Sequence, residues 1–366
     1  MRGQGQRSVR ASRFSVPVVL LLGVALAVLR PASAQDATPA GGGERVEQIA
    51  LVTPASRANQ GWDQQAVDNL SAVSEERGVD VLVADNAGYE DITPTLRDFA
   101  EQGADLIVCH ASGYQTVCPE FAEEEGVRVA VIENPDAATP GLVADIETQA
   151  QEAAYLAGVL AGRTTASGTV GIVASGQPPT WNYMSVGFAE GLKAARTDAK
   201  LLYAVIGEAA YEDAAGAKRE TEAQLAAGAD IVFGMGDGAS FGMIDAIEEH
   251  NAELEEGAAP ALFIDVIGDK REEHGDVLLT SVLFDYTGVY GQLLDDIEAG
   301  AFGRVHTMNV ANGGVRLLDL PENVPPDVVA AVEQARQGVV AGDIEVSAIG
   351  DADGLRRRLD ELLQGS

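Results

Sequence analysis

Large aromatic side chains stand beside acidic ones where apolar runs of the sequence give way to turns. In "RANQGWDQQAVDNL" (57–70), Trp62 and Asp63 follow the apolar run "QIALVT", and in "AYED" Tyr211 precedes two acids. Aromatic rings stack on flat ligands, and an ionised carboxylate accepts hydrogen bonds without donating any. This chemistry suits capture of a flat ring that carries N–H groups. An anionic ligand would find few cationic partners in these turns.

Signals of catalysis and of phosphate binding are weak. The chain contains no G-x-S-x-G nucleophile elbow, and no two carboxylates are paired as acid and base, as a nucleoside hydrolase would need. The glycine-rich "GMGDGASFG" (234–242) lacks the P-loop lysine and has Asp237 where an anion would sit. The histidines show no metal-ligand spacing with each other or with the cysteines. We therefore expect a binding protein rather than an enzyme, with no metal and no cofactor.

The chain repeats itself with an offset of roughly 120 residues, a period that indicates two copies of one supersecondary plan. The matched segments, in the same order in both copies, are "QIALVT…GWDQQAVDNL" with "TVGIVASGQPPTWNYMSVGFAEGL" (169–192), "VDVLVADNAGYED" (79–91) with "AKLLYAVIGEAAYED" (199–213), and "GADLIVCHASGY" (103–114) with "GADIVFGMGDGA" (228–239).

Each repeated segment has a Val/Ile/Leu run, a turn rich in small and polar residues, and a helical stretch. Ile92, Leu96 and Phe99, for example, have the spacing of one helix face. This alternation predicts an α/β protein with two similar doubly wound parallel-sheet lobes. Ligands bind beyond the carboxyl ends of such strands, so a cleft between two facing lobes is the expected site. The aromatic and acidic residues of the turns at that edge are Trp62, Tyr114, Trp181, Tyr211 and Asp237.

The N-terminal segment resembles a Sec-type signal peptide covering residues 1–34. Four arginines precede an apolar run at 16–29, and a small-residue motif "ASA" ends at Ala34. Residues 35–45 read as a flexible leader. Cleavage and retention as an anchor both remain open, although no cysteine near Ala34 offers a site for a lipid. The predicted location is periplasmic or extracellular.

The charge balance excludes some classes of partner. The formal net charge is −33 at pH 7, with 24 basic and 57 acidic residues spread along the chain. Such a surface repels nucleic acid and anionic lipid. Cys109 and Cys118 form the one pair of cysteines, and in an oxidising compartment they are either bridged or two separate buried thiols.

Several motifs resemble the basic-membrane-protein (BMP) family of substrate-binding proteins for ABC transporters, whose characterised members bind purine nucleosides or bases. "EAAYLAGVLAG" (152–162) is the most specific match, followed in family order by "GTVGIVASG", "VGFAEGLKA" and the closing "VPPDVVAAVEQARQGVVAGDIEV". The resemblance covers residues 46–347. It implies a type I periplasmic-binding fold, in which three strands form the hinge and a purine-like ring stacks between aromatic side chains.

The resemblance also implies roles for individual residues. Trp62 takes the place of the family's first-turn phenylalanine, and Asp63 that of its asparagine. Phe284, in "TSVLFDY", stands where nucleoside binders usually carry lysine, which favours a free base or another flat heterocycle over ribose recognition. The ligand-contacting residues carried over by position are Trp62, Asp63, Glu133, Tyr211 and Asp265.

The implied chain organisation crosses between lobes three times. Lobe I comprises residues 46–147 and 268–303, lobe II comprises 148–267 and 304–350, and 351–366 form a C-terminal helix or tail. We expect an exported protein that captures a small flat N-heterocycle and delivers it to an ABC permease and ATPase. The alternatives are a ligand sensor for a membrane signalling receptor and a binder of another solute, such as a sugar.

Overall fold

The computed structural model describes residues 45–364, so the predicted signal peptide and nearly all of the predicted leader lie outside the described residues. Two six-stranded sheets organise this part of the chain. The first has the order β11-β5-β4-β3-β1-β2, and every pairing in it is parallel. Its strands are β1 (Gln48–Val52), β2 (Asp80–Ala84), β3 (Leu106–Cys109), β4 (Val129–Ile132), β5 (Val143–Thr148) and β11 (Val305–Met308).

The second sheet has the order β12-β10-β9-β8-β6-β7, and only the β10–β12 pairing is antiparallel. Its strands are β6 (Thr169–Ala174), β7 (Lys200–Val205), β8 (Ile231–Met235), β9 (Leu262–Val266), β10 (Leu278–Phe284) and β12 (Val315–Leu317). Strands β3, β4, β6, β8 and β10 are buried at every position, because helices cover both faces of the sheets.

The helices have ends that their sequences explain. Helix α1 stops at Gly78, which adopts a left-handed conformation (φ 67°) and donates its N–H to the Ser74 carbonyl. Asp213 caps the start of α6 by accepting the Gly216 N–H at 2.8 Å. The helices are α1 (Trp62–Arg77), α2 (Thr93–Glu101), α3 (Val117–Glu125), α4 (Ala150–Thr164), α5 (Pro179–Ala195), α6 (Ala214–Ala226), α7 (Ala239–Ala252), α8 (Arg271–His274), α9 (Thr287–Glu298), α10 (Pro326–Ala341) and α11 (Ala352–Gln364).

The chain passes between the sheets after β5, after β10 and after β11. The second passage differs from the sequence-based boundary, because β10 lies in the second sheet and not in lobe I. There Ser281 and Val282 pair with Asp265 and Val266 of β9. Strand β11, assigned to lobe II from the sequence, instead pairs with β5 in the first sheet. An apolar run such as "LLTSVLF" suits the middle of either sheet, so pattern alone does not decide its partner.

Tight helix packing stabilises the second lobe. Helices α4 and α5 meet where glycines remove side chains from the contact. A Cβ atom on Gly191 would lie 2.0 Å from the Tyr155 carbonyl oxygen, and one on Gly158 would lie 2.1 Å from that of Phe188. The motif "EAAYLAGVLAG" thus forms a helix that is buried along nearly its whole length. Among residues 45–364, the structure contains no helix with the length and apolar character needed to span a membrane.

Candidate functional site

A cavity of about 320 Å³ lies between the two lobes, at the carboxyl ends of their strands. This volume is typical of small-molecule sites. Its wall is rich in aromatic rings and contains three carboxylates. The aromatic lining residues are Trp62, Tyr89, Trp181, Tyr183, Tyr211, Phe284 and Tyr286, and the carboxylates are Glu133, Glu147 and Asp237.

The cavity reflects the internal repeat of the sequence. After the first four strands of each sheet, the chain places a lining residue at an equivalent position in the two lobes. The pairs, with the first-lobe residue given first, are Trp62 with Trp181, Tyr89 with Tyr211, Ser112 with Asp237, and Glu133 with Ile267. The last pair also shares an uncommon backbone conformation, since Glu133 (φ 57°) and Ile267 (φ 67°) are both left-handed. Such strain in non-glycine residues concentrates at ligand sites.

Trp62 is held in place by side chains behind it. It is the first residue of α1, and its Nε1 donates to the Tyr286 hydroxyl at 2.7 Å. Its ring lies 3.9 Å, centroid to centroid, from the buried imidazole of His110. Burial holds the pKa of His110 near 3, so this ring packs as a neutral aromatic. In the second lobe, Trp181 meets Tyr211 edge to face with centroids 5.3 Å apart.

Glu133 joins the lobes through hydrogen bonds. Its carboxylate accepts from Thr148 Oγ1 at 2.7 Å in the first lobe, and from Tyr183 Oη at 3.0 Å in the second. Thr180 Oγ1, also on α5, donates to its other oxygen. Gln115 fixes the turn from below by donating Nε2 to the carbonyl oxygens of Ile132 and Glu133. The acid predicted at this turn therefore lines the cavity and connects both lobes.

Asp237 and Glu147 are acids that change their protonation state near neutral pH. Burial raises the pKa of Asp237 to about 7, and the nearby carboxylate of Asp63 adds to the shift. Asp237 accepts the Trp62 backbone N–H at 3.4 Å, so it also bridges the cleft. Burial, together with the neighbouring Asp145, raises the pKa of Glu147 to about 7.

Three predicted ligand residues do not line the cavity. Asp63 turns back into its own loop, where it accepts the Ala55 N–H at 3.1 Å and the Asn59 side-chain amide at 2.9 Å. Asp265 lies inside β9, two residues before the turn, and is fully buried in an ion pair with Lys270 at 2.6 Å. Tyr114 is a core residue whose hydroxyl donates to the Gly88 carbonyl. These placements correct the sequence-based assignments.

The remaining predicted residues do line the cavity, and several lining residues were not predicted. Trp62, Glu133, Trp181, Tyr211, Asp237 and Phe284 were predicted from the sequence. Tyr89 and Ser112 were missed, although the repeat pairs them with Tyr211 and Asp237. Tyr286 and Glu147 were also missed, and neither belongs to the three matched segments.

Of the two alternatives that the sequence leaves open for the cysteines, the structure contains the disulfide. Cys109 and Cys118 form a disulfide with Cα atoms 6.7 Å apart, which joins the end of β3 to α3. The bridge encloses the short turn that presents Ser112 to the cavity, and Cys109 directly precedes His110 behind Trp62. The bridge thus constrains one edge of the site.

Comparison with known proteins identifies related sequences. Residues 46–349 match the family described as ABC transporter substrate-binding protein, PnrA-like, which confirms the resemblance seen in the sequence. An ABC transporter nucleoside-binding protein, BmpA, from Lactococcus lactis is 26% identical over 208 residues, 53% of this chain and 57% of that protein. A CD4+ T-cell-stimulating antigen from Listeria monocytogenes is 26% identical over 218 residues, 56% of this chain and 59% of that protein. The chain matches less than two thirds of the length of either relative.

Solved structures show the same fold. A solute-binding protein of an ABC transporter from Aeropyrum pernix superposes with a TM-score of 0.72 at 20% identity, covering 87% of this chain and 98% of that one. A similar protein from Conexibacter woesei gives a TM-score of 0.70 at 21% identity, with 84% and 100% coverage. The predicted type I periplasmic-binding fold, two parallel-sheet α/β lobes, is thereby confirmed.

Proposed function

The chain belongs to the family of PnrA-like ABC transporter substrate-binding proteins, and from that premise we propose that it captures a small flat N-heterocycle, a purine base or nucleoside, between its two lobes. The bound, closed form then docks on a permease whose ATPase drives import. The family is described by binding and not by catalysis.

The observation that carries this proposal is the pair of tryptophans at equivalent positions of the two lobes. Trp62 and Trp181 both line the cavity from the first turn of a helix that follows the first strand of its lobe. A flat ring between aromatic side chains gains about 1–3 kcal/mol from each stacking contact. Two contacts alone correspond to a Kd no tighter than tens of micromolar, roughly. Hydrogen bonds at the ring edge therefore supply the remaining affinity.

The polar groups of the wall suit such an edge. Glu133, Glu147 and Asp237 offer acceptor oxygens for ring and amino N–H groups, and Ser112 and Gln115 add neutral polar contacts. Phe284 adds a ring where a ribose-binding lysine is expected in nucleoside binders, which favours a base. The proposed ligand-binding residues are Trp62, Tyr89, Ser112, Gln115, Glu133, Glu147, Trp181, Tyr211, Asp237, Phe284 and Tyr286.

Further support comes from a relative and from the disulfide. The Lactococcus lactis protein is named as nucleoside-binding, and its ligand class is the one that we propose here. Disulfides persist in oxidising compartments. The Cys109–Cys118 bridge therefore supports the proposal that the protein is exported by its N-terminal segment and binds its ligand outside the cytoplasm.

The first experiment identifies the ligand directly. Purified protein is denatured, and the released small molecules are measured by mass spectrometry. We expect a purine or a related N-heterocycle at up to one equivalent per chain. A sugar or an amino acid recovered at that yield would contradict the proposal.

The second experiment tests the stacking role of Trp62 by calorimetric titration with a panel of purine bases and nucleosides. We expect Trp62→Ala to weaken binding by roughly ten- to a hundredfold, because one stacking face is lost. Trp62→Phe retains a ring and should bind within about tenfold of the parent. Phe241→Ala removes an aromatic ring of α7 outside the cavity and serves as the matched control. Equal affinity of Trp62→Ala and the parent would remove Trp62 from the site.

A further inference from the structure

The charge of the cavity wall is one-sided. Its 18 lining residues include the carboxylates Glu133, Glu147 and Asp237, and no lysine, arginine or histidine is among them. The ammonium of Lys270, which acts on Asp237 from outside the wall, is already paired with Asp265 at 2.6 Å, and both side chains are almost fully buried. Among the described residues that line the cavity, the three carboxylates therefore have no cationic partner, and Lys270 outside the wall is shared with Asp265.

The carboxylates lie on separate elements of the two lobes. Glu133 directly follows β4 of the first sheet, and Glu147 lies within β5 of the same sheet. Asp237 follows β8 of the second sheet. A ligand held between the lobes therefore meets negative groups from both sides. Because aromatic faces are also attractive to cations, the rings of Trp62 and Trp181 reinforce that preference.

We propose that the preferred ligand is an N-heterocycle that carries a positive charge on its ring, such as a ring-nitrogen-methylated purine, in preference to a neutral purine of the same size. This inference rests on the proposed function, since it names the charge class of the heterocycle bound in the same cavity. The charge is delocalised over the flat ring, where tryptophan faces contact it and carboxylates approach its edge.

The ionisation of the wall gives the preference a pH dependence. Asp237, whose pKa burial raises to about 7, faces the carboxylates of Asp63 and Glu212 and the ammonium of Lys270, and it lies close to Tyr211. A cation favours the ionised form of such an acid, so its binding expels bound protons. Its affinity accordingly rises between pH 6 and pH 8, as the free protein loses those protons.

Glu147 contributes in the same sense. Its pKa is also raised to about 7, by burial and by the carboxylates of Asp145 and Glu133, which are the charged groups facing it. Glu147 donates a hydrogen bond to Asp145 while it is protonated, and a glutamine amide can donate the same bond. Glu147→Gln and Asp237→Asn are near-isosteric changes that remove the negative charge and replace one acceptor oxygen by an NH2 donor.

The test compares two isomers that differ in charge. At pH 7.5, 1-methyladenosine is a cation, whereas N6-methyladenosine has the same purine ring, ribose and number of methyl groups but is neutral. Calorimetric titration is expected to give a Kd at least about tenfold lower for the cation, equivalent to 1.4 kcal/mol. Titrations in two buffers of different ionisation enthalpy should show proton release for the cation and less for the neutral isomer.

Two variants separate the effect of the ligand's charge on affinity from the effect of its shape. In Asp237→Asn and in Glu147→Gln, both isomers should lose affinity because an acceptor oxygen is lost, but the cation should lose more, so that the affinity ratio of the two isomers falls towards one. If the parent binds both isomers equally, or binds adenosine and adenine but neither methylated isomer, the charge preference is overturned and the purine function stands. If no purine in the panel binds, the proposed function itself is overturned, and this inference with it.

Discussion

Asp237 offers the sharpest prediction for stability. Its carboxyl group lies in the cleft with a pKa of about 7 instead of the ordinary 3.8 of an aspartate, chiefly because it is buried. Asparagine has nearly the same shape, and its side-chain oxygen can accept the same Trp62 N–H. The substitution Asp237→Asn therefore removes the ionisation and little else.

The size and sign of the effect follow from proton linkage. The unfolded chain releases the Asp237 proton above pH ~4, whereas the folded protein keeps it until pH ~7. The contribution of Asp237 to the free energy of unfolding therefore falls as pH rises through this window and is constant above it. A shift of about three pKa units at 1.36 kcal/mol each amounts to about 4 kcal/mol at most. The variant escapes this loss, so it should match the parent near pH 4 and exceed it by up to about 4 kcal/mol at pH 8.

Urea unfolding at a series of pH values from 4 to 8.5 measures the difference. Asp245→Asn, which changes an exposed acid on the adjoining helix α7, is the matched control and should track the parent at every pH. A difference between Asp237→Asn and the parent that is constant with pH, or that grows towards acid, would refute the argument. Such a result would mean that Asp237 ionises equally readily in the folded and unfolded protein.

Three further changes test the packing. Lys270→Met should cost about 3–5 kcal/mol of unfolding free energy, because it leaves the buried charge of Asp265 without its partner. Replacing Cys109 and Cys118 by serine opens a ten-residue loop and should cost about 3 kcal/mol, measured by urea unfolding against the parent with and without reductant. Gly191→Ala should cost about 1–3 kcal/mol or more, read as a lower Tm, because its new methyl group would meet a carbonyl oxygen of α4 at 2.0 Å.

Each of these changes has an internal comparison. Gly288→Ala, in α9, places its methyl group where no atom beyond the adjacent residues and backbone of its own helix lies within 4 Å, so it should be neutral or stabilising. Adding Asp265→Leu to Lys270→Met should recover much of the lost stability, because the unpaired charge disappears. For the disulfide, addition of reductant should lower the unfolding free energy of the parent towards that of the double serine variant, and it should leave the unfolding free energy of that variant unchanged. Stability equal to that of the parent in Lys270→Met, in the double serine variant or in Gly191→Ala would contradict the contact that the substitution removes or disturbs.

The internal repeat of the sequence predicts several of the residues that line the cavity. Trp62 and Trp181 could be predicted because both copies place a tryptophan after their first strand, and both residues line the cavity. The same alignment pairs Tyr89 with Tyr211 and Ser112 with Asp237. It could therefore have supplied the two first-lobe residues that composition and motif reading overlooked. Internal symmetry predicts positions at the sheet edge, since equivalent turns end at equivalent places.

Other features depend on contacts that only the folded chain defines. Asp265 precedes the end of β9 by one residue, and the alternation of a strand turns its side chain into the core, where Lys270 neutralises it. Glu147 and Tyr286 reach the cavity because their strand and turn come together at the hinge. Likewise, β10 pairs in the second sheet because of neighbours more than ten residues away in the chain, which a local apolar pattern does not encode.

The hydroxyl groups around Glu133 have a consequence for the kinetics of capture. Two donors on α5, Thr180 and Tyr183, bond a carboxylate of the opposite lobe. At about 1.5–3 kcal/mol for each charged hydrogen bond, separating the lobes costs about 3–6 kcal/mol. Open molecules then make up between roughly one in 160 and one in 25,000. If ligand enters only open molecules, the observed association rate is the diffusional encounter rate multiplied by the open fraction. The same hydrogen bonds also slow dissociation, because the lobes must separate before a bound ligand can leave.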